Sequence, residues 1–235
     1  MYKNIAELKN KHKDEDIWTI CSGPSMSFIE SSFFDNKIVI GQNDIFRKFK
    51  CDYVVAKDLC ERPRYSDLVE DLKKENIPLI FPKHHAGHTD DKINEPDIVN
   101  AYRFEHLQNH SGDRINEVFP SIGTDKIIVS RSTITTCMHI ACYMGAKNII
   151  LCGHDCGAID DNNYMKNLAI ENWTSSPNWD GYNNWLSAIE NDTINVRREL
   201  ENYYGCNIYS LNPFVNFGLE GHSYFSFTKN KGFSL

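Results

Sequence analysis

The stretch from Ile127 to Asp155 constrains this chain most, because it reads as one strand–helix–strand unit with polar residues gathered at both strand ends. Ile127, Ile128 and Val129 form a β-branched run, followed by Ser130, Arg131, Ser132 and Thr133. Ile134, Cys137, Met138 and Ala141 then recur at helical spacing, Ser132 or Thr133 can cap that helix, and Gly145 can end it. Asn148–Cys152 is the next strand. A crossover between parallel strands is nearly always right-handed, so Ser130–Thr133 and Gly153–Asp155 are expected close together on the carboxyl edge of one sheet. Open α/β sheets bind their ligands at that edge.

Earlier segments repeat the arrangement. Ile17–Cys21 reads as a buried strand that Ser22-Gly23-Pro24-Ser25 breaks before an apolar-spaced segment from Met26 to Phe34. A strand, a glycine turn and a helix start can hold a phosphate through backbone N–H groups and the helix dipole. The same residues also make an ordinary turn with a helix cap, and the tetrapeptide alone leaves both readings open. Lys37–Ile40 is a second strand, running into Gly41-Gln42-Asn43-Asp44, and Tyr53–Ala56 a third, running into Lys57-Asp58. Every α/β strand must end in something polar, and only the repetition favours a site assembled from loops. Tyr65–Glu75 has a helical pattern, and Ile77–Phe81 reads as another strand. Late in the chain, Trp185, Ile189, Ile194, Val196 and Leu200 trace a long, imperfectly amphipathic helix to Tyr204 that Gly205 stops, before a final strand at Cys206–Leu211.

Two segments lack periodicity. From Pro82 to Asp125 the composition turns polar and contains His84, His85 and His88 with Asp90 and Asp91. These side chains could ligate zinc, but their spacing matches neither the HExxH helix nor a zinc finger, and the segment reads as a solvated loop. The segment from about 156 to 184 carries Tyr164, Trp173, Trp179 and Tyr182 among polar residues. It is expected to be a lid over the ligand edge, the alternative being a surface excursion anchored by its aromatics. The whole chain, 1–235, is expected to be one α/β domain carrying that lid. It has 235 residues, 41% of them hydrophobic, enough for a large core.

A formal charge of −7 argues against a nucleic-acid partner, since that affinity comes from clustered Lys and Arg. The polar N-terminus and the lack of a long apolar run predict neither a signal peptide nor an integral membrane segment. Most of the 8 cysteines sit in or beside apolar elements and read as buried thiols of a cytoplasmic protein.

Four stretches together resemble the bacterial sialyltransferases of glycosyltransferase family 42: Ile20–Met26, Gly41–Asn43, Ser130–Asp155 and Asn191–Leu211. A related group of flagellin-modifying proteins and a pterin pyrophosphokinase shares the Gly-Pro-Ser and Gly-x-Asp landmarks. The resemblance implies a doubly wound, mostly parallel, Rossmann-like (GT-A-like) α/β fold with helices on both faces and a lid, binding a CMP-sugar without metal or other cofactor. It implies nucleotide contacts at Gly23, Pro24, Ser25, Asn43, Ser132, Thr133 and Asp155, with Tyr164 on the leaving phosphate, and Ser22, Lys57 and Gly153 are expected beside them from their places at the same strand ends.

The chain departs from the family at three points. Ser22 stands where the family has Asn, and Gly157 where it has a second lid tyrosine. The family's general base is a histidine at the end of the lid, and no histidine occurs here between His154 and His222. His222 is the first candidate for the base and Asp180 the next, with His154 and Tyr182 behind them. The activity expected is sugar transfer from a CMP-sugar or other nucleotide sugar to a glycan or other hydroxyl acceptor. The alternatives are pyrophosphokinase-type phosphoryl transfer with Mg²⁺ held by Asp155, Asp160 and Asp161, or an inactive nucleotide-binding module. A homo-oligomer is left open.

Overall fold

The computed structural model describes residues 2–57, 59, 64–83, 96–107, 122–156, 164, 165, 168 and 182–211, and for 64–66 and 182–187 the backbone alone. The strands are β1 (Lys3–Asn4), β2 (Asp16–Ile20), β3 (Ile38–Gln42), β4 (Tyr53–Val55), β5 (Leu79–Pro82), β6 (Ala101–His106), β7 (Lys126–Ile127), β8 (Asn148–Cys152) and β9 (Asn207–Ser210). The α-helices are α1 (Arg64–Glu75), α2 (Thr133–Tyr143) and α3 (Tyr182–Tyr204). Among the described residues all nine strands join one sheet in the order β1-β6-β5-β4-β3-β2-β8-β9, with β7 paired to β6, and each of these pairings is parallel. From β2 the sheet grows through β3 to β6 in one direction and through β8 to β9 in the other. The fold is therefore doubly wound, with its switch point between β2 and β8.

Both faces of the sheet are covered, which is why its strands read as near-continuous apolar runs. Side chains alternate between two cores. Ile17, Ile149 and Leu151 face a core shared with Ile134, Met138 and Ile140 of α2 and Val196 and Leu200 of α3. Ile20, Ile150 and Cys152 face the other, shared with Leu68 and Leu72 of α1 and with Met26, Phe34 and Ile45. Gly145, at φ +87°, follows α2, and Gly205, at φ +67°, follows α3. N–H groups of Asn10, His12 and Asp14 bond to the carbonyls of Tyr143, Met144 and Gly145, so the N-terminal segment satisfies the carbonyl end of α2.

The elements differ from the sequence reading in three places. Met26–Phe34 contains two 3₁₀ turns, Pro24–Phe28 and Ser31–Phe34, instead of a helix. The ladder at Ile127–Val129 is confined to Lys126–Ile127 and pairs with β6, so it is not a neighbour of β8. Side chains intercept the rest of that run: Ile128 N–H bonds to His139 Nδ1 of α2, and the Ser130 and Arg131 carbonyls accept from Lys57. β6 falls within the stretch that the sequence reading left as loop. Its Arg, Glu and His obscure the apolar alternation, although Ala101, Tyr102 and Phe104 are buried.

Candidate functional site

The turns after β2 and β8 lock together at the switch point. Cys21 N–H bonds to Cys152 O and Gly23 N–H to Gly153 O, each at 2.9 Å, extending the β2–β8 pairing beyond the strands. Ser25 then donates to Asp155 twice, from its backbone N–H at 2.7 Å to Oδ2 and from its hydroxyl at 2.5 Å to Oδ1. Both glycines are required by the close approach. A Cβ on Gly23 would lie 2.3 Å from Gly153 O and 2.5 Å from Asp155 Oδ2, and one on Gly153 would lie 2.4 Å from Met26 Cγ. Burial raises the Asp155 carboxyl to about 6, partly opposed by the two Ser25 hydrogen bonds that favour its charged form.

These bonds change how the turn can meet a phosphate. Gly23 and Ser25 N–H groups are bonded to Gly153 and Asp155, Met26 N–H to Gly23 O, and Pro24 has none. The donors of Gly23 and Ser25 thus hold the turn closed, and Asp155 is the clasp. Helix α2 offers a different cradle. Its N-cap, Ser132, makes no side-chain capping bond. The Thr135 hydroxyl bonds to the Ser132 carbonyl at 2.8 Å and receives Ser130 Oγ–H at 2.7 Å, and Thr133 is buried. Lys57, buried just past β4, fixes this start by donating to Ser130 O at 2.5 Å and Arg131 O at 2.8 Å.

Between these two features lies the end of β3. Asn43 takes φ +49°, a conformation asparagine tolerates, and opens a 3₁₀ turn over Asn43–Arg47. Its Oδ1 and the Oε1 of Gln42 are buried with no partner among the described residues. Buried side-chain acceptors are nearly always paired, so two adjacent unpaired ones at a sheet edge mark where a donor is missing.

Helix α3 closes the far side. Arg131 makes a bonded ion pair with Asp192 at 2.8 and 3.0 Å, and burial raises the Asp192 carboxyl against the lowering effect of Arg131. On the next residue, Thr193 donates to Ile189 O at 2.9 Å, which leaves its oxygen to accept from His154 Nε2 at 2.8 Å. His154 is buried toward α3, and that burial lowers it to about 4, which favours its neutral form. Asp155, its neighbour, turns the other way to Ser25, as alternation along an extended segment requires. The Met165 N–H bonds to Ser22 O at 2.9 Å, so half-buried Tyr164 stands one residue from the glycine turn.

No family model and no curated protein sequence matches this chain. Solved structures do. The sialyltransferase CstII from Campylobacter jejuni in complex with cytidine-5′-monophosphate aligns at 14% identity and TM-score 0.48, covering 87% of this chain and 82% of that chain. CstII in complex with CMP-3FNeuAc aligns at 16% identity and TM-score 0.47, over 85% and 81%. The monofunctional α-2,3-sialyltransferase Cst-I from Campylobacter jejuni aligns at 13% identity and TM-score 0.37, over 91% and 78%.

The edge thus gathers Ser22–Ser25, Asn43, Lys57, Ser132, Thr133, Gly153 and Asp155, and brings Tyr164 beside them. Asp180 and His222 lie outside the described residues, as do His84, His85, His88, Asp90, Asp91, Asp160 and Asp161, and Tyr182 is described as backbone at the start of α3. Among the described residues no group of three or more His, Cys, Asp or Glu is placed to hold a metal, and no helix is long and apolar enough to cross a membrane. The sequence reading missed the Arg131–Asp192 pair and the Thr193–His154 bond. Helical periodicity marks Asp192 and Thr193 only as polar positions, and no local signal shows that they face the sheet edge.

Proposed function

We propose that this sheet edge binds a nucleotide-activated sugar, CMP-sialic acid in the first place, and that the protein transfers the sugar to a hydroxyl acceptor. The carrying observation is the pair of buried side-chain oxygens on Gln42 and Asn43 that have no partner among the described residues, at the end of β3 beside the β2–β8 switch point. Ribose hydroxyls and the cytosine amino group are donors of the kind those oxygens lack. The uncapped start of α2 at Ser132 and Thr133 supports a phosphate position through backbone N–H groups and the helix dipole. Tyr164, beside the turn, is suited to donate to the leaving phosphate.

In the proposed reaction the acceptor oxygen forms a bond to the anomeric carbon as the bond to the phosphate oxygen breaks. The electron pair leaves with the phosphate, and a base takes the hydroxyl proton. His154 already donates through Nε2 to Thr193, which supports assigning the base to His222 or Asp180 ahead of it. The bonded Asp155 acts in this reading by holding the turn shut.

A thermal-shift panel of CMP, CDP, UDP, GDP and ATP, each with and without Mg²⁺, tests the proposal. CMP is expected to raise the melting temperature without Mg²⁺, and an Asn43→Ala, Ser132→Ala double variant to lose that rise. Stabilisation by ATP with Mg²⁺ alone, or an equal CMP shift in the double variant, would overturn it.

A further inference from the structure

The cysteines described as free thiols include Cys142 in the last turn of α2 and Cys206 just before β9. Their sulfurs lie 3.3 Å apart, one thiol donating to the other. The two residues are 64 positions apart in sequence, so the fold alone creates the pair. Neither belongs to the nucleotide edge: α2 begins at that edge and ends at the opposite one, where β9 starts.

The surroundings distinguish this pair from a packing contact between small apolar residues. Cys206 is buried in the same core cluster as Cys142, but its chain neighbours Gly205 and Asn207 are exposed, so this sulfur lies at the rim of that core. Gly205 takes φ +67°, and a Cβ there would meet nothing within 4 Å. The backbone beside Cys206 therefore has open space into which it can adjust when the sulfurs close to the bonded distance of about 2.0 Å. Chemically the two thiols are unequal. The hydrogen bond received from Cys142 lowers the Cys206 thiol against the opposing effect of burial, while burial raises Cys142. Burial also raises Cys51, Cys137 and Cys152, and what sets Cys142 apart from them is its contact with the Cys206 sulfur.

We propose that Cys142 and Cys206 are a redox-modification site that forms a reversible disulfide, with hydrogen peroxide as the oxidant. The Cys206 thiolate attacks the peroxide, forming an S–O bond as the O–O bond breaks. This gives a sulfenic acid and releases water once a proton is taken up. The Cys142 thiol then attacks that sulfur, passing its proton to the departing hydroxide, so the S–S bond replaces the S–O bond and the second oxygen leaves as water. Two thiols are oxidised by two electrons, and one peroxide is reduced to two waters. The bond would clamp the end of α2 to β9 and close a loop containing β8, the Gly153–Asp155 turn and α3. Closing so long a loop stabilises the fold by restricting the unfolded chain.

The test is a non-reducing peptide map and a melting curve of the full chain before and after one equivalent of hydrogen peroxide. A Cys142–Cys206 cross-link is expected, with a melting temperature raised by roughly 5–10 °C and both changes reversed by dithiothreitol. In Cys142→Ser the sulfenic acid on Cys206 should persist and be trapped by dimedone. Sulfinic acid at Cys206 without a cross-link in the wild type, or a cross-link through another cysteine, would overturn the proposal. So would a rise in melting temperature that persists in Cys206→Ser. The wild-type map decides the matter by itself if a variant does not fold.

Discussion

Gly23 and Gly153 show how little freedom the switch point leaves to single residues. A methyl group on Gly23 would collide with the Gly153 carbonyl and the Asp155 carboxylate at 2.3 and 2.5 Å, and the first of these is backbone that cannot rotate away. Gly23→Ala should therefore separate the two turns and destabilise the protein by about 3 kcal/mol, read as a lower urea midpoint. An unchanged midpoint would mean that the two turns are not packed as described. Asp155 illustrates a second residue-scale point. Its type and position suggested a ligand contact, whereas both of its oxygens accept from Ser25, so its described contacts lie within the protein.

At the scale of elements, α2 is held at both ends by groups that its own sequence does not announce. Lys57 fixes its start from the end of β4, and residues 10–14 cover the carbonyls at its end. His139 joins it to two neighbours, accepting from Ile128 N–H at 2.9 Å and meeting Tyr204 Oη at 3.0 Å. Replacing Lys57 by Met keeps most of the unbranched stem but leaves the Ser130 and Arg131 carbonyls without its ammonium. A loss of about 2–3 kcal/mol is expected, together with a weaker CMP-induced shift because Ser132 is no longer held. A Lys57→Met variant that melts like the wild type would show that the ammonium is not a strut.

Across the whole molecule, the buried titratable groups pull stability in opposite directions with pH. Burial lowers His139 from 6.5 to about 3 and His154 from 6.5 to about 4, so their contribution is present above pH 6.5 and is lost as pH falls through those values. Asp155 is raised from 3.8 to about 6, so its contribution is present below about pH 4 and is lost as pH rises through 6. The two histidines outweigh the carboxyl, and the protein should lose stability on acidification from pH 7 to pH 4. Comparison with Asp155→Asn isolates the opposing part. The stability of the wild type relative to the variant should grow by on the order of 2–3 kcal/mol from pH 7 to pH 4. A difference that does not change with pH would show that the Asp155 carboxyl is not held as described.

The sequence by itself determined the α/β class, because short apolar runs with polar ends alternate with segments of helical period, and each follows from local sterics and side-chain solvation. Ile17–Cys21, Tyr65–Glu75, Asn148–Cys152 and the helix ending at Gly205 were all legible in this way, and so were the turns at Ser22–Ser25 and Gly153–Asp155. Tertiary structure alone decided which strands became neighbours. β7 pairs with β6 and not with β8, since a crossover rule fixes handedness but not the number of strands crossed. It also decided the partners of the polar groups. Ser25 found Asp155, His154 found Thr193, and Cys142 found Cys206 across 130, 39 and 64 residues. Such pairs depend on a sheet already assembled, because bringing distant segments together costs chain entropy that only the buried core offsets.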